Sequence, residues 1–102
     1  MSDRKQYSLL LTINHHQISR VIIDQHYKIK HPDVTDEIIL DLIRTIDGED
    51  YPIEDERGDF QYFTAEPVFK DERPYRLVMV LCIFEDYLGV INAFRVDRSI
   101  YE

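Results

Sequence analysis

The sequence predicts an α+β domain in which two helices pack on one antiparallel sheet of four to five strands, ending in a C-terminal β-hairpin. Three observations carry that expectation. Segments dense in β-branched, aliphatic and aromatic residues recur at Tyr7–Ile13, Ile18–Asp24 and Phe60–Ala65. An apolar stretch from Tyr75 to Val96 is interrupted only by Arg76, Glu85-Asp86, Asn92 and Arg95, which is the pattern of a hairpin. Between these regions Ile38, Ile39, Leu42, Ile43 and Ile46 make an i, i+1, i+4, i+5, i+8 stripe, the mark of an amphipathic helix facing a sheet.

Taken in order, Met1 to Gln6 is polar and reads as a frayed tail. Tyr7 to Ile13 is the first strand, Asn14 to Gln17 a turn, and Ile18 to Asp24 a second strand. Residues 18–29 also suit a helix, because Ile18, Val21, Ile22 and Ile29 fall at helical spacing. The run Val21-Ile22-Ile23 favours the strand. Asp24 is suited to cap a short helix through Ile29, which Pro32 keeps from extending. Thr35 suits the N-cap of the main helix, with Asp36 and Glu37 at the positive end of its dipole. Gly48, just past Asp47, fits a left-handed residue ending that helix. Glu49 to Asp59 reads as an acidic loop, Glu66 to Pro74 as a polar, proline-bounded connection, and residues from Asp97 onward as a charged tail.

Making Glu85-Asp86 the hairpin turn sets Phe84 opposite Tyr87, Leu81 opposite Val90 and Met79 opposite Asn92. It also sets Arg76 opposite Arg95. Like charges directly opposed on a sheet cost about 0.2–1 kcal/mol, so this register calls for an anion nearby. The acidic loop is one source and an anionic ligand is another. The same register puts Asn92 on a face with Leu77, Met79, Leu81 and Phe94, where a buried amide needs hydrogen-bond partners.

A chain of 102 residues can bury a real core and is expected to be one domain. Its net charge of −8, from 20 acids against 12 bases, works against nonspecific adhesion to nucleic acid or anionic membrane. Binding of either would need a local basic patch. The lone Cys82 excludes an internal disulfide or a multi-cysteine metal site, and its apolar setting reads as an inert buried thiol. No run approaches the roughly 20 apolar residues of a membrane span, and the N-terminus lacks an apolar signal core. A cytoplasmic protein without membrane contact is the expectation.

One segment concentrates chemistry. His26-Tyr27-Lys28-Ile29-Lys30-His31-Pro32 brings together two imidazoles, two ammonium groups and a phenol. Imidazole transfers protons near neutral pH and lysine pairs with phosphate, so the set suits metal-free phosphodiester transfer. The plainer reading is a helix end with solvated lysines. Metal ligation is not expected. His15 and His16 are adjacent and would point to opposite faces of a strand, while His26 and His31 lack the i, i+4 spacing of a helical pair. Nor does the acidic loop alternate its oxygens as a calcium loop does. No Gly-rich phosphate loop or nucleophile elbow occurs, and no cofactor is expected.

His26 to Pro32, Gln61-Tyr62-Phe63, Leu77 to Val80 and Asn92-Ala93-Phe94-Arg95 follow one another in an order similar to a known family. The chain from about residue 20 to 96 resembles the barnase–EndoU–colicin–RelE-like nucleases, in particular their small phage-associated and toxin-like branches. That resemblance implies RNA cleavage without metal, by attack of a ribose 2′-hydroxyl on the adjacent phosphate. His26 would be the general base or acid, and His31 a positioning or second proton-transfer group. Arg95 would stabilise charge on the phosphate, and Asn92 would hold the polar position of the last strand. Lys28, Lys30, Arg76 and Tyr62 complete the expected substrate-binding set. RNA and a protein partner of the antitoxin kind are the implied partners.

Asn92 and Phe94 stand where the family pattern has Thr and Tyr, and the acidic net charge differs from that of a tight RNA binder. Both favour a second reading: a non-catalytic interaction domain of the same fold that meets a basic partner or a second copy. The hairpin is apolar on both faces while helices can cover only one, so a homo-oligomer is expected under it.

Overall fold

The structure, a computed structural model, describes residues 4–96. The tails expected at 97–102 and over the first three residues lie outside the described residues. Eight elements follow in order: β1 (Arg4–Ile13), β2 (His16–Asp24), α1 (Tyr27–Lys30), α2 (Asp36–Thr45), β3 (Asp55–Arg57), β4 (Phe60–Lys70), β5 (Arg73–Cys82) and β6 (Tyr87–Arg95). The strands form one six-stranded sheet in the order β1-β2-β6-β5-β4-β3. Neighbours pair antiparallel except β2 and β6, which run parallel from Arg20↔Tyr87 to Ile23↔Val90.

This corrects the expected architecture of two helices on an antiparallel sheet of four to five strands. The fold is mostly sheet, and it is mixed. One helix is a single four-residue turn and the other has ten residues. The additional strand is β3, formed where a loop was expected. Two segments expected outside the sheet belong to it: Arg4 to Gln6, expected in a frayed tail, opens β1, and β4 runs on through the cis Glu66–Pro67 bond to Lys70, where a connection was expected. Asp71 and Glu72, both at positive φ, then turn the chain directly into β5.

Local chemistry accounts for several elements. Asn14 and His15, at φ 53° and 63°, make the two-residue turn that joins β1 to β2. The strand reading of residues 18–24 holds, with Ile18, Val21 and Ile23 fully buried. At the start of α2, Thr35 Oγ1 accepts the Ile38 amide at 3.2 Å. Helix α2 lays Ile39, Leu42 and Ile43 on one sheet face, against a core that includes Ile13, Phe63, Leu77, Met79 and Leu81. Each such side chain stabilises the fold by about 1.5–3 kcal/mol. Cys82 is a free, buried thiol. Among the described residues no helix is long and apolar enough to cross a membrane.

The hairpin register differs from the expected one. Four residues, 83–86, join the strands, so Cys82 faces Tyr87, Leu81 faces Leu88 and Met79 faces Val90. Ile91 is then an extra residue, a bulge, after which Val78 faces Asn92 and Arg76 faces Phe94. Arg95 lies opposite Tyr75. The two arginines therefore point to opposite faces, and the expected like-charge clash does not arise. A one-residue shift flips every later side chain, so the bulge moves Asn92 off the core face and onto the uncovered one.

On that uncovered face β6 approaches β5 closely at Gly89. A Cβ added there would lie 2.8 Å from Val80 Cγ1. Valine is stiff at χ1 and cannot swing aside easily. Gly89→Ala is therefore expected to lower stability by about 1–3 kcal/mol in chemical denaturation; an unchanged midpoint would show that Val80 can yield.

Candidate functional site

β2 pairs with β6 only as far as Val90. Beyond that point β6 continues alone on this side, and the segment after β2 lies against it. Asp24 begins the change of direction: its Oδ1 accepts the His26 backbone amide at 2.9 Å. The same oxygen lies 3.6 Å from His26 Nδ1, and the His26 side chain is two-thirds exposed. The single turn of α1 then places His26, Tyr27, Ile29 and Lys30 beside Ile91 and Asn92 of β6. Together these six line a cavity of about 260 Å³.

Asp36 anchors this turn. The Tyr7 and Tyr27 hydroxyls each donate to its carboxylate at 2.6 Å, and Gln25 Nε2 donates at 3.1 and 3.3 Å. Lys28 Nζ stands 3.7 Å away. Burial opposes ionisation of Asp36. The hydrogen bonds from Tyr27, Tyr7 and Gln25, with the Lys28 charge, outweigh it and hold the carboxyl below its usual range. In return, the bond to Asp36 first and burial second push the Tyr7 phenol up to about 12. Tyr27 is raised too, by burial first and by Asp36 next. Strand β1, the turn before α1, and both helices meet on one carboxylate.

The predicted residues divide accordingly. His26, Lys30 and Asn92 come together at one cavity. His31 stacks on Phe94, with ring centroids 4.9 Å apart and planes 20° from parallel. Phe94 is two residues beyond Asn92 on the same face of β6, a separation of about 7 Å along a strand. Lys28 turns instead toward Asp36 and the Tyr27 ring. Arg95 pairs with Asp33 at 3.4 Å and Arg76 with Glu66 at 3.2 Å, so neither is answered by the acidic loop. Tyr62 lines a second cavity on the uncovered sheet face. Asn92 Oδ1 accepts the Ala93 amide at 2.9 Å.

His15 and His16 serve the ends of the sheet, 3.0 Å from Asp50 and 2.8 Å from Asp86 respectively. Among the described residues no three His, Cys, Asp or Glu side chains converge as metal ligands would. Asp36 is the residue that sequence reasoning missed. It was legible only as a helix-dipole acid, because its partner Tyr7 lies 29 positions away and nothing local links the two. Against these geometric findings, no protein-family model, curated protein or solved structure matches the chain.

Proposed function

We propose that the chain is a metal-independent endoribonuclease whose reacting centre is the cavity between α1 and β6. The observation that supports this reading is that His26, Lys30 and Asn92, from two separate elements, line that one cavity. An imidazole, an ammonium and an amide are the kinds of group that 2′-hydroxyl attack on a phosphodiester requires.

In this reading His26 takes the proton of the ribose 2′-hydroxyl as its oxygen bonds to phosphorus. Asp24 Oδ1 stands 3.6 Å from Nδ1, on the opposite edge of the ring from Nε2. Lys30 offsets the charge gathering on the phosphate oxygens, and the Asn92 amide NH₂ donates to one of them. The 5′ oxygen leaves, and His31, held on Phe94, supplies its proton. The products are a 2′,3′-cyclic phosphate and a free 5′-hydroxyl.

Incubating the protein with single-stranded RNA and a metal chelator, and identifying both new ends, tests the reading. Intact RNA at high protein concentration would reject it. One observation favours a second reading, a non-catalytic domain for a basic partner. Glu54, Asp55, Glu56 and Asp59 are all exposed along the segment around β3. That reading expects a stable complex with a basic partner and no cleavage.

A further inference from the structure

We infer that the sheet face left uncovered by the helices stacks the bases of single-stranded RNA; the inference rests on the nuclease reading and names where its substrate lies. This face holds a cavity of about 380 Å³. Its walls include the rings of Tyr62 on β4 and Tyr87 on β6, with Ile22, Val80 and Gly89 beneath and Arg4 at the rim. Gly89 keeps the floor low, since any side chain there would run into Val80. Tyrosine rings above the surface of Ile22, Val80 and Gly89 suit the stacking of a planar base.

Three arginines, Arg4, Arg20 and Arg57, stand on or beside this face. In a chain of net charge −8, guanidinium groups flank both rings. Arg20 lies 5.3 Å from the Tyr87 ring centre and Arg57 5.9 Å from that of Tyr62. Arg20 is shared with Glu85 at 3.7 Å and Arg57 with Asp55 at 3.0 Å, while Arg4 makes no ion pair among the described residues. Asp24 is the one carboxylate on the cavity wall. Aromatic rings beside arginines on an open sheet are how single strands are held with little regard to sequence.

Continuity ties this face to the reacting centre. Ile91, the bulge residue, lines both cavities. Asp24 lines the larger one and also holds the His26 amide. An RNA strand with one phosphate beside His26 and Lys30 thus has an adjoining base within reach of Tyr62 and Tyr87.

The test uses a labelled single-stranded ten-nucleotide oligomer with 2′-O-methyl sugars, which lack the attacking hydroxyl. Its binding is followed by fluorescence anisotropy with wild type, Tyr62→Leu, Tyr87→Leu and Tyr62→Phe. Each Leu variant is expected to weaken binding about 5- to 100-fold, and Tyr62→Phe, which keeps the ring, to change it little. Amide shifts at Gly89 and Ile91 on titrating wild type give a second readout that needs no variant. Unaltered affinity in both Leu variants, with silent Gly89 and Ile91, would overturn the inference. So would light scattering that shows a second copy seated on this face and released by Tyr62→Leu. Ring-dependent binding without RNA cleavage would remove the nuclease reading alone. Cleavage with ring-independent binding would remove only this inference.

Discussion

His26→Ala is expected to slow RNA cleavage by about 10²- to 10⁴-fold, the usual contribution of a positioned general base. Its side chain is two-thirds exposed, so the fold loses little with it. The backbone amide that Asp24 receives remains in the variant. A large loss of rate with an unchanged melting temperature is therefore the expected pair of results. His31→Ala is expected to slow cleavage less, and at some cost in stability, because the His31 ring also packs on Phe94. Lys30→Ala is expected to raise KM and lower kcat together, since its charge serves bound and reacting phosphate alike. If purified His26→Ala and His31→Ala proteins both cleave at the wild-type rate, the reacting centre lies elsewhere.

Asp36→Asn is expected to destabilise the fold by about 2–4 kcal/mol at neutral pH, through loss of several charge-assisted hydrogen bonds at a largely buried site. An amide can accept from one tyrosine hydroxyl but presents NH₂ to the other. The sign with pH follows from the direction of the shift. Asp36 titrates lower in the folded chain than it does unfolded, so its contribution is complete above the ordinary carboxylate range. It fades as pH falls through the depressed folded value. The stability gap between wild type and Asp36→Asn, from urea denaturation, should be flat from pH 5 to 8 and narrow below about pH 4. At the alkaline end Tyr7 acts in the opposite sense: its contribution is present below about pH 10 and disappears as pH rises through about 12. A gap that is small at pH 7, or constant into acid, would show that the carboxylate does not organise this corner.

What was legible in the sequence was local. Thr35 marks the start of α2 because its hydroxyl serves a backbone amide three residues away. The β-branched run Val21-Ile22-Ile23 identifies β2, although being apolar throughout it does not itself show which face is buried. The β4–β5 turn was hidden because Asp71-Glu72 lacks the glycine that usually signals positive φ. Strand β3 is three exposed residues and has no apolar pattern to betray it. The bulge at Ile91 leaves no mark in the sequence either, yet it decides on which face Asn92 stands. Of the site, the cluster around His26 was visible as composition. Its partner across the cavity depended on that bulge, and its anchor depended on tyrosines from distant elements.

The parallel pairing of β2 with β6 has a consequence for how the molecule comes into being. β6 lies between β2 and β5, so the last strand among the described residues is an interior strand of the sheet. Until residues 87–95 are in place, the β1–β2 hairpin and the β3–β4–β5 meander share no strand boundary. A chain growing from its N-terminus therefore holds two half-sheets that cannot join, and folding waits on contacts of long sequence separation. The cavity shares that timing, because one of its walls is β6. Under the nuclease reading, no reacting centre exists before residues 87–95 have been made and have paired.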